Sequence, residues 1–477
     1  MDHDILLTYV MYYSLFNRKI FNNELQIMKY FPKNVFGVFT TIRRFNKISI
    51  WPNDIHGCIG YWNNTFNKLS KSDLHKNLLR VSYDAQWNDN RRQYFRSINT
   101  DPLSLLEIDF MLTPIYKVDK KTGIIIKLGQ TFTNKTYGII IQSKDLTRRA
   151  TYLPGVFPVI SWDELINSIK KKANITPDYY DNYEVFCYKI LQIKGQFINL
   201  LQHKIFCYSS LLRYSRFLID NMRSELKFPF PYLCKNNILE WNLTDEVRNI
   251  SVLGDIIKYN SLYPNIISKE KLRIIKKKII DILSELENYS SQSLSFLGHI
   301  FIDIKYNNFN MQDIKKRFCK KLLQDLPFAE NQFEKWEIII GLQKAGYKFK
   351  INKDLFIFTL NDSIFKMNWI IQSIISIGNK PSKELVNILV DKINNIIEYN
   401  KDIETNYIAV SFEALCFVYN SMNDIDILYK IFELFIELEN RKKCMDILYI
   451  FQNKTARVDI SGHVNNGFFE LLQSIHF

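Results

Sequence analysis

Glycine and proline are scarce in this chain, 15 and 12 of 477 residues. That excludes collagen-like repeats and Pro/Gly low-complexity chains, and no stretch has the composition of a flexible linker. The seven cysteines, at 58, 187, 207, 234, 319, 416 and 444, are odd in number and form no C-x-x-C pair. Neither a disulfide framework nor a zinc site is expected, and most of them read as small buried hydrophobes. The seven histidines are equally scattered, without His-x-x-x-His or His-x-Glu spacing. No metal is expected, and no cofactor can be named. No uncharged apolar run reaches the roughly 18 residues that a membrane span needs. The opening "MDHDILLTYVMYYSLFNRKI" starts acidic and lacks a small-residue cleavage site, so it reads as a first helix, not a signal peptide. The expectation is a cytoplasmic protein.

What is present is apolar and aromatic: 47% hydrophobic residues and 14% aromatics exclude a disordered chain. At this length one core is too small, and two or three domains are expected. A net charge of +14 invites a nucleic-acid reading. The densest runs, "SIKKKAN" and "RIIKKKII", lie on helical stretches with apolar neighbours, in a chain rich in Asn and Ile. They read as solvated helix faces, and no nucleic-acid partner is expected.

The two halves differ in rhythm. In residues 1–200, strand-like stretches ("GVFTTIRRF", "LLEIDFMLTPIYKV", "GIIIKL", "YGIIIQS") alternate with helical ones at the N-terminus, around 67–86 and in "SWDELINSIKKKA". Ser161 with Glu164 has capping-box spacing. The pattern predicts an α+β domain with a mainly antiparallel sheet. From 205 to 477 charged, one-sided helices alternate with more apolar ones such as "FEKWEIIIGLQKAG" and "YIAVSFEALCFVYN". That alternation predicts an all-α domain of αα-hairpins, a closed toroid or an open solenoid, with Gly346 and Gly378 ending two inner helices. The junction near 195–206 has no linker composition, so the halves are expected to pack together.

Five blocks in the first half carry a family resemblance. "VFGVFTTIRRFNKISIWPNDIHGCIGYW" resembles the signature of the AMMECR domain family, a strand running into an Arg-Gly-Cys-Ile-Gly turn. "YDAQWNDNRRQYFRSI", "LLEIDFMLTPIYKV", "YGIIIQ" and "TYLPGVFPVISWDELINSIKKKANI" follow in the family's order, over about residues 5–195. This chain departs from the pattern in having His56 where the family has arginine and Gly155 where it has glutamine. In the block after Asp89 only Arg91 matches cleanly. The resemblance implies an α+β domain with a cleft near the Gly-Cys-Ile-Gly turn, and implies no particular activity.

Two sets of residues are candidates for chemistry. Cys58 lies between Gly57 and Gly60, read as a tight strand-to-helix junction. A thiol at a helix start is more nucleophilic, with His56 as a base; Gly57, Gly60, Asp89, Arg91 and Tyr152 are the accompanying ligand-binding candidates. The bland reading is a packed turn with Asp89 and Arg91 bracing a helix end. In the second half, Asp245 and Arg248 open one helix while Arg457, Asp459 and His463 lie near the C-terminus. A toroid would bring the two clusters to one cavity, where carboxylates and a histidine suit acid–base chemistry on a sugar; buried ion pairs between hairpins are the bland alternative. Three functions stand: binding of a small molecule or modified protein near Gly57–Gly60 or in an interdomain groove, with or without catalysis by Cys58; a glycan-active enzyme in the toroid cavity; or a helical scaffold for a protein partner.

Overall fold

The computed structural model describes residues 2–19, 27–43, 55–90, 103–156, 161–176, 182–222, 232–233, 238–239, 245–262, 267–303, 309–348, 356–399, 404–441, 443–444, 448–452, 455–456 and 458–475. It divides into two compact units, Met1–Leu200 and Leu201–Phe477.

In the first unit, helix α1 (Asp2–Phe16) precedes strands β1 (Val35–Arg43) and β2 (Ile55–Trp62), then helix α2 (Lys71–Trp87). Strands β3 (Leu105–Val118), β4 (Ile124–Ile125), β5 (Gln130–Thr131), β6 (Gly138–Ser143) and β7 (Arg149–Tyr152) follow, then α3 (Trp162–Lys172) and β8 (Tyr183–Gln196). The sheet runs β2-β1-β3-β8-β6-β7, with β4 and β5 attached beyond the end of β3. Its pairings are antiparallel. Its two edge strands approach each other, since the Arg149 guanidinium sits 4.8 Å over the Trp62 ring. The sheet is therefore curled. The central strand β8 was not foreseen in the sequence. Ser161 caps α3 as its spacing predicts, accepting from the Glu164 amide at 3.2 Å. That helix covers one core, around Ile139, Ile141, Val185 and Ile169. On the other side, α2 packs on β1 and β2, and α1 packs on α2, with Trp87 Nε1 donating to the Ser14 carbonyl at 2.7 Å.

The second unit is built mainly of helices: α4 (Lys204–Asp220), α5 (Glu246–Leu262), α6 (Lys269–Ser284), α7 (Ser291–Ser295), α8 (Ile300–Asp303), α9 (Phe309–Asp325), α10 (Gln332–Lys344), α11 (Ile364–Ser376), α12 (Lys383–Tyr399), α13 (Thr405–Met422), α14 (Ile425–Asn440) and α15 (Val458–Ser474). It also holds short antiparallel strands of two to five residues, which the helical pattern did not announce. The packing follows the alternation in the sequence. Helix α13 is buried at nearly every position from Thr405 to Tyr419, whereas α6 buries one stripe, Ile275, Ile279, Ile282 and Leu283. The inner elements pack in order, α5 on α7 and α8, then α10, α11, α13 and α15, and α15 returns to α5. Six inner positions thus form a ring. Gly346 and Gly378, at φ +79 and +81, end α10 and α11 in the left-handed conformation. At the first of these the Tyr347 amide reaches back to the Leu342 carbonyl at 2.9 Å.

Candidate functional site

Cys58 lies in mid-strand, which corrects the expected junction. It pairs with Thr41 across β1–β2, and Gly57 and Gly60 pair with Ile42 and Phe39. The glycines serve packing, not a turn. A Cβ on Gly57 would lie 1.9 Å from the Ala85 carbonyl oxygen of α2, and one on Gly60 would lie 2.1 Å from the Phe39 ring. The backbone amide of Cys58 donates to Asp89 Oδ2 at 2.9 Å, just past the C-terminal end of α2, and Thr41 Oγ1 donates to the thiol at 3.1 Å. Activation by a helix N-terminus is therefore not available to this sulfur. His56 is buried, 3% exposed. Tyr152 is occupied elsewhere, its hydroxyl 2.9 Å from Ser168 Oγ and its ring under Lys172 in the α3 core. Arg91 lies outside the described residues. The row containing Cys58 continues through Thr41 to Glu107, and the next row runs from Gly60 through Phe39 to Asp109 and Gln192. Asp109 is pushed up to about 6 by burial, while the 2.9 Å bond from Gln192 opposes the shift and Glu107 adds to it.

The second cluster assembles. Asp245 precedes α5 and accepts from the Arg248 amide at 2.9 Å, and its carboxylate also meets the Arg248 guanidinium. Arg248 Nε reaches Asp459 Oδ2, near the start of α15, at 3.4 Å across 211 positions of sequence. One turn on, His463 Nδ1 lies 2.6 Å from Glu413 Oε2 of α13. Glu413 is itself held by Asn368 Nδ2 of α11 at 2.9 Å, and Asn368 by Gln372 at 3.2 Å. Arg457 lies outside the described residues.

All of the described side chains of this cluster except Asn368 line one cavity of about 390 Å³ within the ring, a volume suited to a small organic ligand. The wall also contains Asp255, Lys258, His299, Glu337, Lys344 and Trp369. None of these was singled out in the sequence. His299 lies in the turn before α8; each of the others is a charged residue, or a tryptophan, with apolar neighbours along its helix, and that misfit is the signal that could have found them. Trp369 meets Phe296 edge to face at 6.1 Å, giving the cavity an aromatic side.

Burial separates the charge states of these groups. Glu337 is pushed up to about 8 by burial, against a hydrogen bond from Gln292 and with help from Glu334, so it holds its proton at neutral pH. Asp255 is raised to about 6, again by burial first, with Lys258 opposing. For His463 burial alone would lower the pKa, but the charge and hydrogen bond of Glu413, with Asp459 and Asp255 behind, raise it above the usual histidine value. His299 is held well below that value by burial and by Lys344 and Lys258. The cavity therefore holds a protonated carboxylic acid and a carboxylate-bound imidazole. In the ring order α10 and α15 stand three places apart, so Glu337 and His463 come from opposite sides of the cavity.

Among the described residues no helix is long and apolar enough to cross a membrane. No curated protein matches the chain. A solved structure of an uncharacterized protein from Pyrococcus horikoshii is similar at 16% identity, covering 40% of this chain and 89% of that one, with a TM-score of 0.30. The AMMECR1 family model matches residues 12–193. The blocks quoted from the sequence fall within that span, and the chain carries an AMMECR1 domain in its first half.

Proposed function

We propose that the helical ring is an enzyme acting on a glycan or similarly hydroxyl-rich substrate, by general acid–base transfer at a glycosidic bond, with the AMMECR1 domain as its companion module. The observation that carries this reading is the Glu413–His463 pair opening on a ligand-sized cavity opposite a protonated Glu337. Glu413 fixes Nδ1 of the imidazole and leaves Nε2 as the basic nitrogen. In the reaction Nε2 takes a proton from water, and the water oxygen bonds to the anomeric carbon. The glycosidic C–O bond breaks with its electron pair going to the leaving oxygen, which receives the proton of Glu337. The Phe296–Trp369 pair offers the apolar face of a sugar ring a surface, and Gln292, Gln372 and Asn466 offer its hydroxyls partners.

In this reading Cys58 is a wall residue of the AMMECR1 sheet, its sulfur held by Thr41, and not a nucleophile. The test is cleavage of a panel of defined oligosaccharides, read by mass spectrometry. Wild type should cleave at least one member, and His463→Ala should lose about 100-fold or more in rate. Alkylation with iodoacetamide should leave the rate unchanged. Absence of cleavage by wild type, or equal rates for the His463→Ala protein, would contradict the assignment.

A further inference from the structure

The cavity's cations are not treated alike. Arg248 is engaged by Asp245 and Asp459. Lys258 lies 3.6 Å from Glu470 Oε1 and 3.2 Å from Asn466 Oδ1. Lys344, at the end of α10, lines the same cavity, yet among the described residues it has no hydrogen bond and no ion pair. Glu337 on the same helix is 6% exposed, and its Oε2 is buried with no partner among the described residues. A buried carboxyl oxygen is costly to leave unmade, and a half-buried ammonium on the same cavity wall with no described anion paired to it marks a place where an anion belongs. The two are seven residues apart, two helical turns, so they lie on one face about 10 Å apart along the axis.

We infer that the cavity takes an acidic disaccharide unit, its carboxylate on Lys344 and the oxygen next to its scissile bond on Glu337. This rests on the glycan reading above and adds a substrate class to it. One ligand must offer an anion to Lys344 and an acceptor to the proton of Glu337, two long side chains that can converge from positions two turns apart, and a uronic acid joined to a second sugar ring offers both. Burial, with the nearby charge of Lys258, lowers Lys344 to about 8, so the ammonium form still prevails at neutral pH and a carboxylate would strengthen it. A charge-assisted bond to Lys344 favours the acid over its uncharged ester by about tenfold or more.

The experiment measures binding of digalacturonate and of its dimethyl ester to the full chain, by calorimetry or saturation-transfer NMR. The pair differs only in the carboxylate charge. Wild type should bind the acid at least tenfold more tightly, and Lys344→Met should bind acid and ester alike. Equal binding of acid and ester by wild type would overturn the substrate class and leave the glycan reading standing. A preference for the acid that survives in Lys344→Met would overturn the role of Lys344. Binding of neither, with no cleavage of any glycan, would overturn both. Should Lys344→Met fail to fold, the wild-type comparison still decides the class and Lys344→Gln decides the residue.

Discussion

Glu337 and Glu413 are both buried glutamates on inner helices, and their partners give them opposite work. Glu413 receives bonds from Asn368 and from the imidazole of His463, so its charge is used. Glu337 has Gln292 for one oxygen and no described partner for the other, so burial wins and the acid stays protonated. The sign of its effect on stability follows. The native state binds the proton more tightly than the unfolded chain, so stability is lost as pH rises from the ordinary glutamate value of about 4.5 toward about 8. Glu337→Gln should remove that loss. The expected result is a gain on the order of a few kcal/mol at pH 9 and little change at pH 4, measured by urea unfolding. A gain that is the same at both pH values would count against a neutral Glu337. His463 behaves alike in direction. Its raised pKa supplies stability below the ordinary histidine value, which is lost as pH climbs through the native one.

Elements show where sequence patterns reached and where they stopped. Asp245, Arg248, Asp459 and His463 were legible because polar clusters at helix starts stand out, and the structure joins Arg248 to Asp459. Asp255, Glu337, Lys344 and Glu413 were not, because a charge in a helix looks like part of a solvated stripe until the ring turns that face inward. Strand β3 was legible from its apolar alternation. Its partner β8 was obscured by Lys189, Gln192 and Lys194, which a curled sheet accommodates at its rim and on its polar row. Gly57 and Gly60 were read as a turn, because glycine favours turns and because space for a neighbour leaves no local trace in sequence. Gly341 of α10 faces Ser295, and an added Cβ would lie 2.7 Å from that residue's backbone. Gly341→Ala should therefore cost about 1–3 kcal/mol, as overpacking does, by thermal unfolding. Gly378→Ala, with nothing near but a φ of +81, should cost less, about 1 kcal/mol, through backbone strain alone. The reverse order would mean that the inner elements are not in close contact.

At the scale of the molecule, a curled antiparallel sheet and a ring of αα-hairpins divide the chain into two bodies with different chemistry. The AMMECR1 sheet uses its glycines for close packing and keeps Glu107 and Asp109 two residues apart on one strand face, in neighbouring rows. The ring sends titratable side chains from several inner helices to one cavity, and the meeting of α15 with α5 makes that cavity a common one. Acid–base work in the ring requires that His463, fixed by Glu413, face what the cavity binds. Ring 15N NMR of the full chain with labelled histidine reads this directly, since its seven histidines can be told apart by substitution. The expected result is an imidazole with Nδ1 protonated and a pKa above the ordinary 6.5, whose Nε2 signal moves when digalacturonate is added and whose pKa falls in Glu413→Gln. A His463 that titrates at or below 6.5, and whose signals ignore both the saccharide and the Glu413→Gln change, would contradict it.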